Sequence, residues 1–150
     1  MGERVPTTIK FGGKLRAEHA ERLIELLNED NFYSEDADLT SGGDVDDVVV
    51  DHLDDTLRAD EVNYGQIEDI IAFCREHKLD YEHWIDACGG GDPSVERVVA
   101  GTSETLNYSD GEPMIPLARV IKVETLVTGL ADLIALAKRW STPLKLEIVP

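Results

Sequence analysis

Residues 81–100 read YEHWIDACGGGDPSVERVVA, and this stretch decides the fold class. Two β-prone runs flank the segment 89–93, whose Gly-Gly-Gly-Asp-Pro composition is typical of a tight connection. The pattern predicts an antiparallel hairpin with strands at residues 81–86 and 95–100. A third strand is predicted at residues 104–108, before a turn at residues 109–113, so the hairpin should extend into a meander.

Apolar periodicity predicts the remaining elements on both sides of this hairpin. Strands are expected at residues 7–11, closed by a Gly12-Gly13 turn, at residues 57–62 and at residues 144–148. Four helices are expected, around Ala20, Leu23, Ile24 and Leu27 and at residues 44–56, 66–77 and 126–137, and residues 116–123 are a further candidate for a short helix.

These elements predict one α+β domain spanning residues 1–150. We expect two layers, with a mixed or mostly antiparallel sheet of five to six strands and three to four helices packed mainly on one face. The helical periodicities place five side chains in one core: Ile70, Cys74, Leu130, Leu133 and Ile134.

Composition restricts the classes of partner. The chain carries 31 acidic and 14 basic residues, a formal charge of −17, which repels nucleic acid and anionic lipid. The longest helix-like apolar stretch, residues 133–137, is far shorter than the roughly 20 residues that cross a bilayer. The first residues, MGERVPTT, do not resemble a secretory signal, and only Cys74 and Cys88 are available as thiols. We therefore expect a cytoplasmic protein that binds neither nucleic acid nor membrane.

The acidity is concentrated in a quarter of the chain. Residues 35–69 hold thirteen acids and one base, net −12, whereas residues 93–150 hold seven acids and six bases. On the predicted helix over residues 44–56, an exposed ridge opposite the valines is formed by Asp44, Asp47, Asp51, Asp54 and Asp55. With Asp46 included, the ridge has one carboxylate per about 3 Å, close to the phosphate spacing along one DNA strand. It is a candidate binding site for a basic protein surface.

Two simpler causes of the acidic segment stay open. A run of charges is commonly a solvated face that keeps a protein soluble. Adaptation to high internal salt also enriches acids, but the balanced residues 93–150 argue against it.

Metal and catalytic motifs are weak. Cys74, His77, His83 and Cys88 are residue types that bind zinc, but their spacing is not that of a common structural site. An EF-hand-like register would use Asp36, Asp38, Thr40, Asp44 and Asp47, yet Ser41 stands where the loop needs glycine. Nucleophile-elbow, phosphate-loop, dinucleotide and zinc-protease motifs are absent, and Cys88 near His83 is a weak nucleophile and base pair. We expect no metal, no cofactor and no catalytic residue.

Three short motifs carry a family resemblance. They are Phe11-Gly12-Gly13, Tyr64-Gly65 and Phe73-Cys74-Arg75-Glu76-His77. With the aromatic hairpin and the Leu-rich last helix, they resemble small acidic proteins of bacterial phages and plasmids. The resemblance implies a mobile-element setting, and by analogy with anti-CRISPR and anti-restriction proteins it implies an antagonist of host defence.

The sequence therefore predicts an acidic, non-enzymatic protein-binding module. Its expected role is an inhibitor that occupies the basic surface of a nucleic-acid-binding host complex, as a nucleic-acid mimic. The alternative from another class is a small metal-dependent or cysteine-based enzyme. The sequence does not indicate the oligomeric state.

Overall fold

The computed structural model describes residues 3–36, 47–87, 92–109, 112–115 and 129–150. The strands are β1 (Arg4–Arg16), β2 (Tyr33–Ser34), β3 (Leu57–Asn63), β4 (Asp80–Ile85), β5 (Ser94–Val99), β6 (Thr102–Ser109), β7 (Glu112–Pro113) and β8 (Leu146–Val149). The helices are α1 (Ala17–Glu29), α2 (Glu68–Glu76) and α3 (Gly129–Ser141), with a 3-10 turn at Val50–His52. None of the helices in these ranges is long and apolar enough to cross a membrane.

Within the described residues the sheet has eight strands, in the order β2-β3-β1-β4-β5-β6-β7, with β8 paired to β1 outside this path. The β1·β8 pairing is parallel, and the other strand pairings in the described ranges are antiparallel. The α+β class, the hairpin β4–β5 and the meander into β6 are thus confirmed. The predicted strand number was too low because β2 and β7 have two residues each, too few to show an alternating pattern.

The expected turn at Gly12-Gly13 is wrong, because β1 continues through both glycines. The first part of β1 pairs with β3 and β4, and the part after Gly12 pairs with β8. A Cβ atom at Gly12 would lie 3.1 Å from the Cβ of Leu144, so glycine lets the two chains approach closely. Gly13 has φ +93° and donates a backbone hydrogen bond to Lys145 over 2.9 Å. The glycines bend the strand towards a new partner instead of ending it.

One face of the sheet carries the main core. Ile9 and Phe11 of β1 are fully buried beneath α1 and α2. The apolar periodicity predicted the buried faces of both helices correctly, since Leu23 of α1 and Ile70 of α2 are fully buried. The expected burial of Cys74 is confirmed as well.

Helix α3 packs on the opposite face, so the sheet is covered on both sides rather than on one. Among the described side chains of this helix, Leu136 is buried and Trp140 is half-buried beside the sheet. The predicted burial of Ile134 is wrong, because this side chain is 46% exposed, while Leu133 is half-buried. The side chain of Leu130 lies outside the described part. On the same side of the helix as Leu136, Trp140 contacts Arg97 of β5 and Glu104 of β6.

The helix predicted at residues 44–56 is not formed in the described residues 47–56. Only the 3-10 turn Val50–His52 is present, after an extended Val49 with φ −121° and ψ 170°. Consecutive β-branched side chains lose rotamer freedom in a helix, which disfavours one here. The short helix predicted at residues 116–123 lies outside the described residues, as do the turn residues 89–91 and 110–111.

Candidate functional site

The predicted carboxylate ridge divides into exposed and structural residues. Asp47 and Asp51 are exposed. Asp54 accepts a 2.6 Å hydrogen bond from the backbone N–H of Leu146, and Asp55 accepts one of 2.6 Å from Ser34. Asp44 lies outside the described residues. With the helix absent, the regular spacing that would imitate phosphates is not present over residues 47–55.

The segment that carries Asp47 and Asp51 is firmly attached to the core. Val48 is 1% exposed, and the side chain of Asn28 in α1 hydrogen-bonds both backbone groups of Val48. The side chain of Asn28 accepts a 2.8 Å bond from the N–H of Val48 and donates one of 3.2 Å to its carbonyl. Between these anchors and buried Leu53, Val49 and Val50 project into solvent, 49% and 47% exposed. A fixed backbone thus presents an apolar pair between two carboxylates.

The candidate zinc residues do not converge in the part of the chain that is described. Cys74 is fully buried in the core, and burial raises the pKa of its thiol to about 12. His77 stacks with Phe73 and His19 at centroid distances of 4.2 and 4.4 Å. No group of three or more His, Cys, Asp or Glu side chains with metal-binding geometry occurs among these residues, and Cys88 lies outside them.

The candidate base His83 is enclosed on the core face of β4. Its Nε2 lies 2.8 Å from Oγ1 of Thr7, and the Thr7 hydroxyl donates a 2.8 Å bond to the carbonyl of Trp84. Burial lowers the pKa of His83 to about 4, so the imidazole is neutral at neutral pH. With 7% exposure it is out of reach of a substrate in solvent, which makes it a structural residue.

The calcium-type register also has no common geometry in the described part. Asp36 accepts a 3.0 Å hydrogen bond from the backbone N–H of Thr56, and Asp47 is exposed to solvent. Asp38, Thr40 and Asp44 lie outside the described residues. Asp36 therefore joins the chain after β2 to the start of β3.

An open cleft lies on the face of the sheet opposite α1 and α2. Strand register places two rows of side chains there, with neighbouring strands about 4.8 Å apart. One row alternates in charge and consists of Lys10, Glu82, Arg97 and Glu104. The next row consists of Arg58, Thr8, Trp84, Val95 and Leu106. Residues 140–144 form the wall that faces the sheet, and the cavity between this wall and the sheet has a volume of about 540 Å³. We call it the sheet cleft.

The base of the sheet cleft is held by one buried ion pair. Arg97 is 7% exposed and donates to Glu82, which also accepts a 2.9 Å bond from the indole N–H of Trp84. The same guanidinium donates a 2.5 Å bond to the carbonyl of Thr142 and lies 5.9 Å from the ring centroid of Trp140. Arg97 thus connects β5 to the wall, while its buried Nε has no hydrogen-bond partner in the described structure.

The open end of the sheet cleft combines aromatic and charged side chains. Trp84 and Tyr108 meet edge to face, with ring centroids 4.9 Å apart. Burial, followed by a 2.5 Å hydrogen bond to Asp86, raises the pKa of Tyr108 above its usual value. Arg58 is held by a 2.9 Å bond to Asp60 and lies 3.9 Å from Glu35. These contacts hold the side chains at this end of the cleft in place.

Sequence reasoning missed the sheet cleft. Its residues come from five strands, from positions next to β2, β3 and β4, and from the end of α3 with the segment that follows it, and no local motif connects them. One signal was available: in the run EHW, Glu82 and Trp84 alternate with His83, so they occupy the face opposite the core. A polar and aromatic second face indicates an additional covered surface.

Comparisons of the chain with protein-family models, with curated proteins and with solved structures gave no match.

Proposed function

We propose that this protein is an acidic, non-enzymatic module that binds a basic protein surface. The observation that carries the proposal is the anchored segment of residues 47–51, where Val49 and Val50 are exposed between exposed Asp47 and Asp51. Exposed valines beside carboxylates suit a partner that has an apolar spot surrounded by lysines or arginines.

Charge supports the same partner class. The −17 net charge attracts cationic surfaces over long range and accelerates encounter, and the apolar pair then lowers the dissociation rate. A basic surface that otherwise holds nucleic acid has this chemistry, so the proposal includes inhibition of a nucleic-acid-binding host complex. It also includes a cytoplasmic location, where the free thiol of Cys74 stays reduced.

The test is capture of partners from host lysate on the immobilised protein at low salt, followed by affinity measurements with the purified partner across a salt series. The double variant Asp47→Asn, Asp51→Asn should bind more slowly and show a shallower salt dependence. The double variant Val49→Ser, Val50→Ser should lose about fivefold in affinity per valine at every salt concentration, since each valine is half-exposed before binding.

A matched control removes two charges elsewhere. Glu21→Gln with Glu76→Gln takes the same charge from exposed positions on α1 and α2. This variant should keep most of the affinity. Equal salt slopes and affinities for wild type and both segment variants would leave residues 47–51 as a solvated surface and contradict the proposal.

A further inference from the structure

We propose that the sheet cleft is a binding site for a small, flat heteroaromatic molecule that carries amino groups and no net negative charge, with the chemistry of an amino-substituted nucleoside. This site is separate from residues 47–51, and it would give the protein a small-molecule ligand in addition to its protein partner. Its 540 Å³ volume lies in the range of about 300–1,000 Å³ typical of small-molecule sites.

Trp84 is the surface on which a flat ring would stack. The indole stands in the middle strand of the five that line the cleft, its N–H is held by Glu82, and the ring of Tyr108 packs against it at an interplanar angle of 68°. The ring therefore has a fixed orientation, and its half-buried face borders the open volume. Pro143 and Leu144 also line the cleft, so a ring stacked on Trp84 would have further apolar side chains in the same cavity.

The charged residues around the cleft determine which net charge a ligand can have. Three bases line it, Lys10, Arg58 and Arg97, together with three acids, Glu35, Glu82 and Asp86. Each base already contacts a carboxylate: that of Asp54, of Asp60 or of Glu82. No excess positive charge is left for a phosphate, and the −17 chain repels one. A neutral molecule is therefore favoured over an anion.

Hydrogen bonding favours amino groups on the ligand. The carboxylates of Glu35 and Asp86 line the cleft at its open end, and carboxylates accept hydrogen bonds from N–H donors. Thr8 lies beside Trp84 in the register and can both donate and accept. An exocyclic amino group next to a ring nitrogen matches such a lining.

Fluorescence gives a direct test, because both tryptophans of the chain, Trp84 and Trp140, line the cleft. In the variant Trp140→Phe, emission comes from Trp84 alone. Titration of this variant with adenosine, cytidine and guanosine should give saturable quenching by at least one of them. The corresponding monophosphate should bind more weakly than its nucleoside.

The stacking residue is tested with Trp84→Leu, followed by calorimetry with the nucleoside that binds best. Loss of one base–aromatic stack should weaken binding by about 5- to 150-fold. Trp84→Phe keeps an aromatic ring and should retain most of the affinity. Tyr64→Leu removes an exposed aromatic ring outside the cleft and should leave the affinity unchanged. Circular dichroism verifies that each variant is folded.

Absence of saturable quenching by all three nucleosides in the wild-type protein, whose two tryptophans both line the cleft, would overturn the proposal, and this result does not depend on whether Trp140→Phe or Trp84→Leu folds. Tighter binding of a monophosphate than of its nucleoside would overturn the charge argument. Equal affinities of Trp84→Leu and Tyr64→Leu would show that stacking on Trp84 does not occur.

Discussion

Asp54 connects two distant parts of the chain, and its replacement should destabilise the fold although the residue lies in the acidic segment. Its Oδ1 accepts the 2.6 Å bond from Leu146, 92 residues away, and lies 3.5 Å from Nζ of Lys10. The Lys10 ammonium also donates to the carbonyl of Asp54. These bonds hold the start of β8 next to the chain before β3.

The magnitude follows from these contacts. A hydrogen bond from a backbone N–H to a carboxylate contributes about 1.5–3 kcal/mol. The lower end applies because the Asp54 side chain is 45% exposed, so water can partly replace it. The ion pair with Lys10 adds less than about 1 kcal/mol. We therefore expect Asp54→Ala to lower the free energy of unfolding by about 2 kcal/mol, or about 4–8 °C in Tm for a chain of this length.

The assay is chemical and thermal unfolding of a graded series followed by circular dichroism. Asp54→Asn keeps an acceptor for Leu146 and should lose about half as much as Asp54→Ala. Asp51→Ala, at an exposed neighbouring position, should stay within about 0.5 kcal/mol of wild type. If Asp54→Ala and Asp51→Ala had the same stability, the assignment of Asp54 as a structural residue would be refuted.

Two further predictions concern His83 and Gly65. The pKa of His83 is lowered from 6.5 to about 4, so the unfolded chain takes up the proton first as pH falls. The free energy of unfolding of wild type relative to His83→Gln should therefore fall by up to about 3 kcal/mol between pH 6.5 and 4. Urea unfolding across this pH range measures the difference, and parallel stability curves for the two proteins would contradict it. Gly65 has φ +67°, and a Cβ there would lie 2.6 Å from Ile85, so Gly65→Ala should lower the free energy of unfolding by about 2 kcal/mol. The control Gly101→Ala should cost less, because its Cβ meets nothing within 4 Å. Equal melting temperatures of the two variants would show that the contact with Ile85 is relieved at no cost.

Local patterns were sufficient for the elements that bury one regular face. The alternation at residues 81–86 predicted β4, because successive side chains of a strand point to opposite sides. The helical spacing of Ile67, Ile70 and Cys74 predicted the buried face of α2 for the same kind of reason. The binding role proposed for the acidic segment stays a prediction, since charge content alone does not distinguish recognition from solvation.

Where local pattern and tertiary contact compete, the contact decides. The valines of residues 48–50 have a helical spacing within residues 45–53, yet the bonds between Asn28 and Val48 hold the chain extended there. In α3, Ile134 and Leu136 are equally apolar, but Leu136 lies one turn from Trp140, which contacts Arg97 of the sheet, and is buried, whereas Ile134 is 46% exposed. Such contacts depend on residues about 20 to 45 positions away, beyond any sequence window.

The sequence by itself determined the α+β class, the meander, the main core helices and the net charge of −17. These depend on nearest neighbours and on composition. Only the tertiary structure decided that β1 passes through its glycines to β8, that Asp54 and Asp55 are structural, and that a cleft lies over Trp84. Each of these features requires segments that are distant in sequence to meet. Whether two such segments fit each other depends on both of them, so neither segment alone predicts the contact.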